Sequence, residues 1–530
     1  MRFIVQPGRT FPSPAGPRAA VLVPNDWDDH NYRTSYDLWI RLGDGSLPIE
    51  IGRVKIALLD QEPGPSPLPA GVHEGGLPRG IGDWVSLGQD DLYYEKIEDL
   101  GPELCREILT GLNDLASDLH AFESAQDADV VKTSLLRSVT PETVTQQFSR
   151  ILAGGQRLTS YNFRFHPPHA PDAPPPLALE FEVRPKSVPS SNIHVLIGRN
   201  GVGKTTLLRS LAIAAVRPLD QPETAGHLTY LEETGFTNVL LVTFSAFDPF
   251  TGISPSHTPT RYKHIGLTRQ TLTIDINDAM PARLKDRGEL ADEFIDSLHS
   301  ILTSGHYDRW VEALTTLASD AQFDAAVLSE TTAPLAYTST DDPPTSFLIN
   351  ESRSDVLSST GRGWHEIFTS LSSGHALVLL TLTRLVDLVA EQTLVLLDEP
   401  ESHLHPPLLS SFVRALSDLL TERNGVAITA THSPVVLQEV PKSCVYKISR
   451  AGRLRARRPR IETYGENVGV LTHEIFGLEV MKSGFYAEIE KAVEEHNTYD
   501  QVLNHFGGQL GDEAKGLVRI LLADREDESL

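Results

Sequence analysis

The feature that most constrains the fold is a glycine-rich turn between an apolar strand and an apolar helix. Its eight residues match the phosphate-loop pattern of two glycines followed by Lys and Ser or Thr: Gly198-Arg199-Asn200-Gly201-Val202-Gly203-Lys204-Thr205. The apolar run at 193–197 predicts a buried strand, and residues 205–216 predict a helix. Glycines permit the tight turn, and the helix N-terminus adds partial positive charge for a phosphate. The sequence therefore predicts an α/β fold with a phosphate site at this turn.

The side chains at the end of this loop suit a nucleotide and its magnesium ion. Lys204 can reach the β- and γ-phosphates, and the hydroxyl of Thr205 can ligate Mg²⁺. The predicted nucleotide contacts are Asn200, Gly201, Val202, Gly203, Lys204, Thr205 and Thr206. The alternative is a glycine-rich strand-to-helix turn that binds nothing.

A second candidate element is an apolar strand that ends in two carboxylates. Residues 394–397 are continuously apolar, which is typical of a parallel strand buried on both faces. Asp398 and Glu399 follow at the carboxyl end, where α/β sheets bind ligands. Asp398 suits Mg²⁺ through its water shell, and Glu399 suits activation of an attacking water as a general base. The alternative is a strand that ends in a capping acid.

Two further candidates flank this strand along the chain. The tripeptide Ser372-Ser373-Gly374 precedes the helix predicted over 374–390, and its free N–H groups could bind a γ-phosphate. The alternative is an ordinary helix cap. His432 ends the strand predicted over 426–431 and is a candidate γ-phosphate sensor, although a lone His is usually structural.

The order of these elements resembles an ABC-type ATPase: phosphate loop, Ser-Gly signature, acidic strand, then a switch His. The octapeptide from Glu399 to Pro406, with the signature Leu371 to Gly374, resembles the OLD-like branch of that family. The resemblance covers residues 177–445 and, less closely, the strands predicted at 33–59. It implies a P-loop ABC-type core with a mixed sheet, a helical insertion and a helical C-terminal extension.

The same resemblance implies how the site works. Two chains would form a head-to-tail dimer that holds two ATP molecules with Mg²⁺. The phosphate loop of one chain would face Ser372, Ser373 and Gly374 of the other. Glu399 would be the catalytic base and His432 the γ-phosphate contact, with Lys204 neutralising charge. His403 and His405 would lie in the loop that crosses the dimer interface.

The segments Glu462–Asn467, Ile475–Leu478 and Phe506–Gly511 resemble the ATPase component of Septu-type anti-phage systems, which implies a separate HNH-type nuclease partner. The sequence differs in two features from related families, the transporter ATPases and the OLD proteins that carry a TOPRIM nuclease. The Gln that transporter ATPases carry after the second core strand is missing from 244–248, and 98 residues after His432 are too few for a TOPRIM nuclease. A zinc site at His403 and His405 is the weaker alternative, because no further ligand cluster is nearby.

Charge and cysteine content narrow the function classes. The chain of 530 residues has 46 Lys and Arg against 71 Asp and Glu, and its net charge of −25 repels nucleic acid at long range. A DNA or RNA contact would need the basic run Arg450–Arg460, whose alternative is a solvated hairpin. Two cysteines exclude a disulfide framework, so we expect a cytoplasmic protein. No apolar run is long enough to span a membrane, so we expect no membrane partner.

We expect three regions. Residues 1–160 would form a β-plus-helical region that is partly packed into the ATPase sheet and in which Tyr32 or Tyr36 stacks on adenine. Residues 161–445 would form the ATPase core with a helical insertion at about 280–330. Residues 446–530 would form a hairpin and a helical extension.

The sequence leads to one function and leaves three alternatives open. The prediction is an ATP-hydrolysing regulator of a nuclease effector in bacterial anti-phage defence. A DNA-repair or chromosome-type ATPase is an alternative, which the missing heptad arms disfavour. A transporter ATPase subunit is disfavoured by the missing Gln. A scaffold that holds ATP without hydrolysing it is the third.

Overall fold

A computed structural model gives the architecture of the chain. It describes every residue except positions 26–28, 30, 79–82, 142, 155–159, 169–177, 217–225, 232–234, 245–259, 269–283, 305, 324–363, 452, 481–483 and 529–530. Among the residues so described, every helix is too short or too polar to cross a lipid bilayer.

The N-terminal region builds a sheet of its own. Its strands are β1 (Arg2–Val5), β2 (Ala19–Pro24), β3 (Ser35–Arg41), β4 (Ile49–Leu58), β5 (Gly71–Glu74) and β6 (Trp84–Gly88). They lie in the order β5-β1-β2-β3-β4-β6, and only the β1–β2 pair is parallel. The strands that we expected within 33–59 are present as β3 and β4. They pair inside this sheet instead of adding strands to the ATPase sheet.

Short helices cover one face of this sheet. They are α1 (Asp91–Asp99), α2 (Pro102–Leu112), α3 (Leu119–Ala125) and α4 (Ser149–Leu152), with π-helical turns at Val131–Leu135 and Thr143–Phe148. Their apolar side chains and those of the strands form one core, in which Tyr93 and Tyr94 are fully buried. Tyr32 and Tyr36, the two candidates for adenine stacking, lie in that core as well. Their hydroxyls donate to Asp129 at 2.6 Å and to Ser66 at 2.6 Å.

Ten further strands divide between two sheets. They are β7 (Tyr161–His166), β8 (Leu179–Val183), β9 (Ile193–Ile197), β10 (His227–Tyr230), β11 (Asn238–Thr243), β12 (Arg261–Gly266), β13 (Thr393–Asp398), β14 (Val426–Thr431), β15 (Val445–Ala451) and β16 (Arg453–Arg457). The small sheet, β10-β7-β8, is antiparallel. The large sheet runs β12-β11-β13-β14-β9-β15-β16 and is parallel except for the β15–β16 hairpin. This is the expected α/β fold with a mixed sheet.

The remaining helices follow in chain order. They are α5 (Lys204–Val216), α6 (Arg287–Ser304), α7 (Tyr307–Leu317), α8 (Ala321–Phe323), α9 (Trp364–Ser370), α10 (Ser373–Leu388), α11 (Pro406–Arg423), α12 (Pro434–Leu437), α13 (Val468–Val480), α14 (Phe485–Glu495), α15 (Tyr499–His505) and α16 (Asp512–Glu528). Single turns of 3₁₀ helix lie at Pro400–His403 and Lys442–Cys444. Helices α6 to α8 occupy the predicted insertion. Helices α14 to α16 share a small core of their own, whereas Leu471 of α13 packs into the large core.

The large sheet is buried on both faces, which explains the unbroken apolar runs of β9 and β13. On one face, Val195 and Leu397 belong to a core shared with α6, α7, α10 and α11. On the other face, Leu196 and Leu396 pack with α5 and the antiparallel sheet. These two layers hold the carboxyl ends of the parallel strands in fixed positions.

Buried charges join the N-terminal region to the helical face of the large sheet. Arg423, the last residue of α11, is only 5% exposed and forms ion pairs with Asp90, at 3.6 Å, and Asp91. His306 pairs with the same Asp90. Arg150 donates to Glu391 at 2.6 Å a short distance along this junction. Because these charged groups are buried away from water, each needs its partner of opposite charge. Their pairing therefore fixes how the two regions dock.

We expect Arg423→Ala to destabilise the protein by about 3–5 kcal/mol, because it leaves two buried carboxylates without their cation. The matched control is Arg414→Ala on the same helix. Arg414 is 51% exposed and pairs with Asp418 one turn away, so its loss should cost less than about 1 kcal/mol. Denaturant unfolding followed by tryptophan fluorescence measures both. Equal shifts in the two variants would contradict the role of Arg423 at the junction.

Candidate functional site

The glycine-rich turn connects β9 to α5 as predicted. Gly201 and Gly203 have φ angles of +78° and +102°, a backbone region in which side chains other than glycine are strained. Gly198 is required for a different reason, because a Cβ at this position would lie 2.3 Å from the carbonyl oxygen of Ile448 on β15. The turn therefore has the conformation that a phosphate loop needs, and the sequence supplies glycine where that conformation demands it.

Lys204 lies across this turn. Its side chain is buried, and Nζ donates to the carbonyl oxygens of Gly198 at 2.9 Å and Arg199 at 3.0 Å. Burial lowers the pKa of Lys204, while the carboxylates of Glu399 and Glu401 oppose that shift. The ammonium group is thus held at the mouth of the turn, where a phosphate would meet it.

Thr205 and Asp398 meet at the centre of the site. The Thr205 hydroxyl donates to Oδ1 of Asp398 at 3.0 Å, across 193 residues of sequence. Asp398 is 7% exposed and ends β13, which is two strands away from β9 in the large sheet. A hydroxyl and a carboxylate are hard oxygen donors of the kind that Mg²⁺ prefers. The predicted pair of metal ligands therefore fits this ion.

Glu399 and His432 lie at the same edge, after β13 and β14. The backbone N–H of Glu399 donates to the carbonyl oxygen of Ala430 at 2.8 Å, and its φ of +47° turns the chain out of the strand. Nδ1 of His432 lies 3.8 Å from Oε1 of Glu399. Both side chains are partly open to solvent. They can therefore meet a water molecule and a ligand from outside.

Glu401 is a site residue that the sequence analysis did not identify. Its Oε1 accepts from the Thr431 hydroxyl at 2.6 Å and from the backbone N–H of His432 at 2.7 Å, and lies 3.0 Å from Nδ1 of the same His. The turn at Pro400 brings this carboxylate back under β14. The only signal in the sequence is its place two residues after Glu399 and beyond a proline. Glu401 positions His432.

The signature tripeptide lies at the N-terminus of α10. The Ser372 side chain caps this helix by accepting from the backbone N–H of His375 at 3.3 Å, and both serines are exposed. A Cβ on Gly374 would lie 2.4 Å from the carbonyl oxygen of His403. The signature turn therefore packs closely against the segment that follows β13 in the same chain, and its serines point outward.

The remaining predicted contacts surround the turn. Asn200 and Thr206 are exposed, and Val202 is buried. Arg450, from the predicted basic run, also reaches the turn, since its Nη2 lies 3.8 Å from where a Cβ on Gly203 would be. Residues 245–248, part of the segment from which the transporter-type Gln is missing, lie outside the described residues.

A family model described as "AAA domain, putative AbiEii toxin, Type IV TA system" matches residues 279–438. That match spans the signature, the acidic strand and His432. A solved structure of a metal-chelate type ABC transporter in an inward-facing conformation covers 60% of this chain and 89% of its own, at 16% identity and a TM-score of 0.28. Residues 279–438 are thus similar to an AAA-type domain.

A relative that matches nearly the whole chain identifies its family. Protein ea59 of Escherichia phage lambda is 36% identical to this chain over 519 residues, which is 96% of this chain and 95% of that protein. Identity at this level along nearly the whole length of both proteins places them in one family. The chain belongs to the family of Protein ea59.

Proposed function

We propose that this protein binds ATP with Mg²⁺ at the phosphate loop and hydrolyses its γ-phosphate bond. The observation that carries the proposal is the contact of Thr205 with Asp398, because it joins the end of the loop to the acidic strand end. A structural turn has no need of a carboxylate at that position. With Lys204 beside them, these residues are the side chains that a phosphate loop would use to hold a magnesium triphosphate.

Each residue of the site would have its own role in the hydrolysis of ATP. Lys204 would exchange its two carbonyl acceptors for phosphate oxygens and stabilise the charge that builds during transfer. Thr205 and Asp398 would hold Mg²⁺, which neutralises the β- and γ-oxygens when bound. Glu399 would orient the attacking water and accept its proton. His432, held by Glu401, would contact the γ-phosphate.

We further propose that a second copy of the chain completes the site. What supports this is the exposure of Ser372 and Ser373 at the N-terminus of α10, a helix of 16 residues. Free N–H groups at such an N-terminus favour a phosphate. The packing of Gly374 against His403 ties the signature to the chain's own acidic segment. Each chain would thus contribute its loop to one of the two shared sites and its signature to the other.

The finer role that we propose is control of a separate HNH-type nuclease in anti-phage defence. Its support is the resemblance of the C-terminal motifs to the ATPase component of Septu-type systems. Helices α14 to α16 have their own core and expose Phe485 and Ile520, apolar side chains that a partner could cover. Co-expression with an HNH nuclease encoded beside this gene tests the role. The proposal requires that the two proteins co-purify and that ATP changes the rate of DNA cleavage, and it is wrong if either result is absent.

Two substitutions separate nucleotide binding from hydrolysis. Lys204→Ala removes a charge-assisted contact and should weaken ATP binding by about 10- to 100-fold. Glu399→Gln keeps the shape of the site but removes the base, so ATP should still bind while turnover falls by about 10²- to 10⁴-fold. A fluorescent ATP analogue measures affinity, and phosphate release measures turnover.

The control for both variants is Glu182→Gln, an exposed glutamate on β8 that pairs with Arg184. It should leave affinity and turnover unchanged. Parental affinity in Lys204→Ala would remove the phosphate-loop proposal. Parental turnover in Glu399→Gln would remove only the assignment of the base.

We also propose a nucleic-acid contact at the β15–β16 hairpin. Arg455 and Arg457 alternate with the buried Ala456 on β16, so both extend from the sheet edge into solvent. Arg458 belongs to a structural contact, because its guanidinium stacks 3.6 Å over the ring of Tyr446 and donates to Val445. The surface available to a nucleic-acid phosphate backbone therefore contains fewer arginines than the basic run Arg450–Arg460.

Reversing the charge of this edge tests the contact. Arg455→Glu with Arg457→Glu should weaken DNA or RNA binding and lower the slope of affinity against salt by about one for each phosphate that is no longer neutralised. Arg2→Glu with Arg18→Glu makes the same change in net charge at half-exposed positions of the N-terminal region. Fluorescence anisotropy across a salt series measures both. An equal decrease in the two double variants would show a general charge effect instead of a contact at β16.

A further inference from the structure

Three metal-ligating side chains from separate parts of the chain meet beside the signature turn. Asp320 precedes α8 in the helical insertion, His375 lies in the first turn of α10, and His405 precedes α11. One ligand atom from each lies within 4.8 Å of the corresponding atoms of the other two. We call this group the Asp320–His375–His405 cluster.

Asp320 is the most buried member and is already oriented. Its side chain is 6% exposed, and Oδ1 accepts from the backbone N–H groups of Gln322 at 3.1 Å and Phe323 at 2.9 Å. These bonds leave Oδ2 directed at His405, whose Nε2 lies 3.6 Å away. That separation is too long for a hydrogen bond. A buried carboxylate oxygen thus faces an imidazole nitrogen without bonding to it.

The imidazole nitrogen on the other side of this gap is also unsatisfied. Nε2 of His405 is shielded from solvent and makes no hydrogen bond with any residue that the structure describes. Two ligands on a tetrahedral ion with bonds of about 2.1 Å lie about 3.4 Å apart, close to the 3.6 Å observed here. The spacing is that of two atoms that share an ion.

His375 is the third candidate ligand of the cluster. Its ring stands edge-on to Phe323 at 5.9 Å, which places it over the turn that carries Asp320. One of its ring nitrogens lies within 4.8 Å of the ligand atoms of both Asp320 and His405. A water molecule would be the fourth ligand, as at zinc sites that have three protein ligands.

We infer that Asp320, His375 and His405 form a site for a divalent transition metal ion, with Zn²⁺ as the fitting ion. Two imidazoles, one carboxylate and a water molecule are a ligand set that zinc takes in tetrahedral geometry. Nitrogen ligands disfavour Mg²⁺, which keeps this site distinct from Thr205 and Asp398. Along the sequence, no further ligand cluster lies near His403 and His405, which made zinc the weaker alternative there. The fold brings in two ligands from well upstream of His405 in the sequence.

Binding of the metal ion would cost one hydrogen bond at His405. Its Nδ1 accepts from the backbone N–H of Leu408 at 3.3 Å and so caps α11. Coordination through Nε2 moves the ring proton to Nδ1 and gives up that long hydrogen bond. Only one donor loses its partner, because Pro406 and Pro407 carry no N–H. The ion would in return tie the insertion, the signature turn and the segment after β13 together.

The test uses the full-length chain without an affinity tag, stripped by a chelator and titrated with Zn²⁺ against a chromophoric competitor. We expect one tight Zn²⁺ per chain, no displacement by excess Mg²⁺, and visible absorption bands of four-coordinate Co²⁺ when cobalt replaces zinc. Asp320→Asn keeps the Oδ1 acceptor of the turn and removes the facing carboxylate oxygen. This variant and His375→Gln should each lose at least about 100-fold in Zn²⁺ affinity.

The control is His403→Gln, an exposed histidine two residues from His405 and outside the cluster. It should bind Zn²⁺ as the parent does. Thermal unfolding of the stripped proteins shows whether each variant folds, and His375→Gln carries the test if Asp320→Asn does not. A parent chain without stoichiometric Zn²⁺, or equal affinity in the parent and both ligand variants, would overturn the site. These readouts need no nucleotide, so they are independent of the proposed ATPase function.

Discussion

The parallel register of three neighbouring strands is the constraint on which the site depends. Strand β14 lies between β13 and β9, and the pairs Asp398 with Ala430 and Thr431 with Ile197 bring their carboxyl ends to one level. The chain leaves all three strands at the same edge of the sheet. The phosphate loop follows β9, the pair Asp398 and Glu399 lies at the end of β13, and His432 follows β14. The hydroxyl of Thr205 can reach Asp398 only because this register holds. Two buried faces, each with its own layer of helices or strands, keep the register from slipping.

This geometry gives one chain most of the proposed phosphoryl-transfer site but not all of it. The loop, the Thr205–Asp398 pair, Glu399 and His432 come together within the chain, and Glu401 holds His432 in place. The signature serines are exposed and are tied through Gly374 to the chain's own segment after β13. Such an arrangement can transmit the state of one site to the partner's site, because a shift of the acidic segment moves the signature. The metal cluster proposed at His405 would stiffen this same connection.

The sequence predicted the parts of the fold that local patterns encode. Helix α5, strands β9, β13 and β14, and helix α10 were found within two residues at each end, since long apolar runs and glycine turns mark them. The pairing of β3 and β4 inside a separate N-terminal sheet could not be predicted, because pairing partners are set by contacts distant in sequence. Tyr32 and Tyr36 were assigned to adenine on family grounds, and both are core residues. The burial of Arg423 has no local sequence signal, because it depends on Asp91, which is 332 residues away.

The most direct test of the account is complementation between two inactive chains. Lys204→Ala lacks the phosphate-loop cation, and Ser373→Glu places a negative charge in the signature. Each alone should hydrolyse ATP at a small fraction of the parental rate. Mixed in equal amounts, they should recover turnover, because a head-to-tail pair then contains one site with an intact loop from one chain and an intact signature from the other. Lys204→Ala mixed with a chain that carries both substitutions should stay inactive. No recovery in the first mixture, or full activity of Ser373→Glu by itself, would contradict a site shared between two chains.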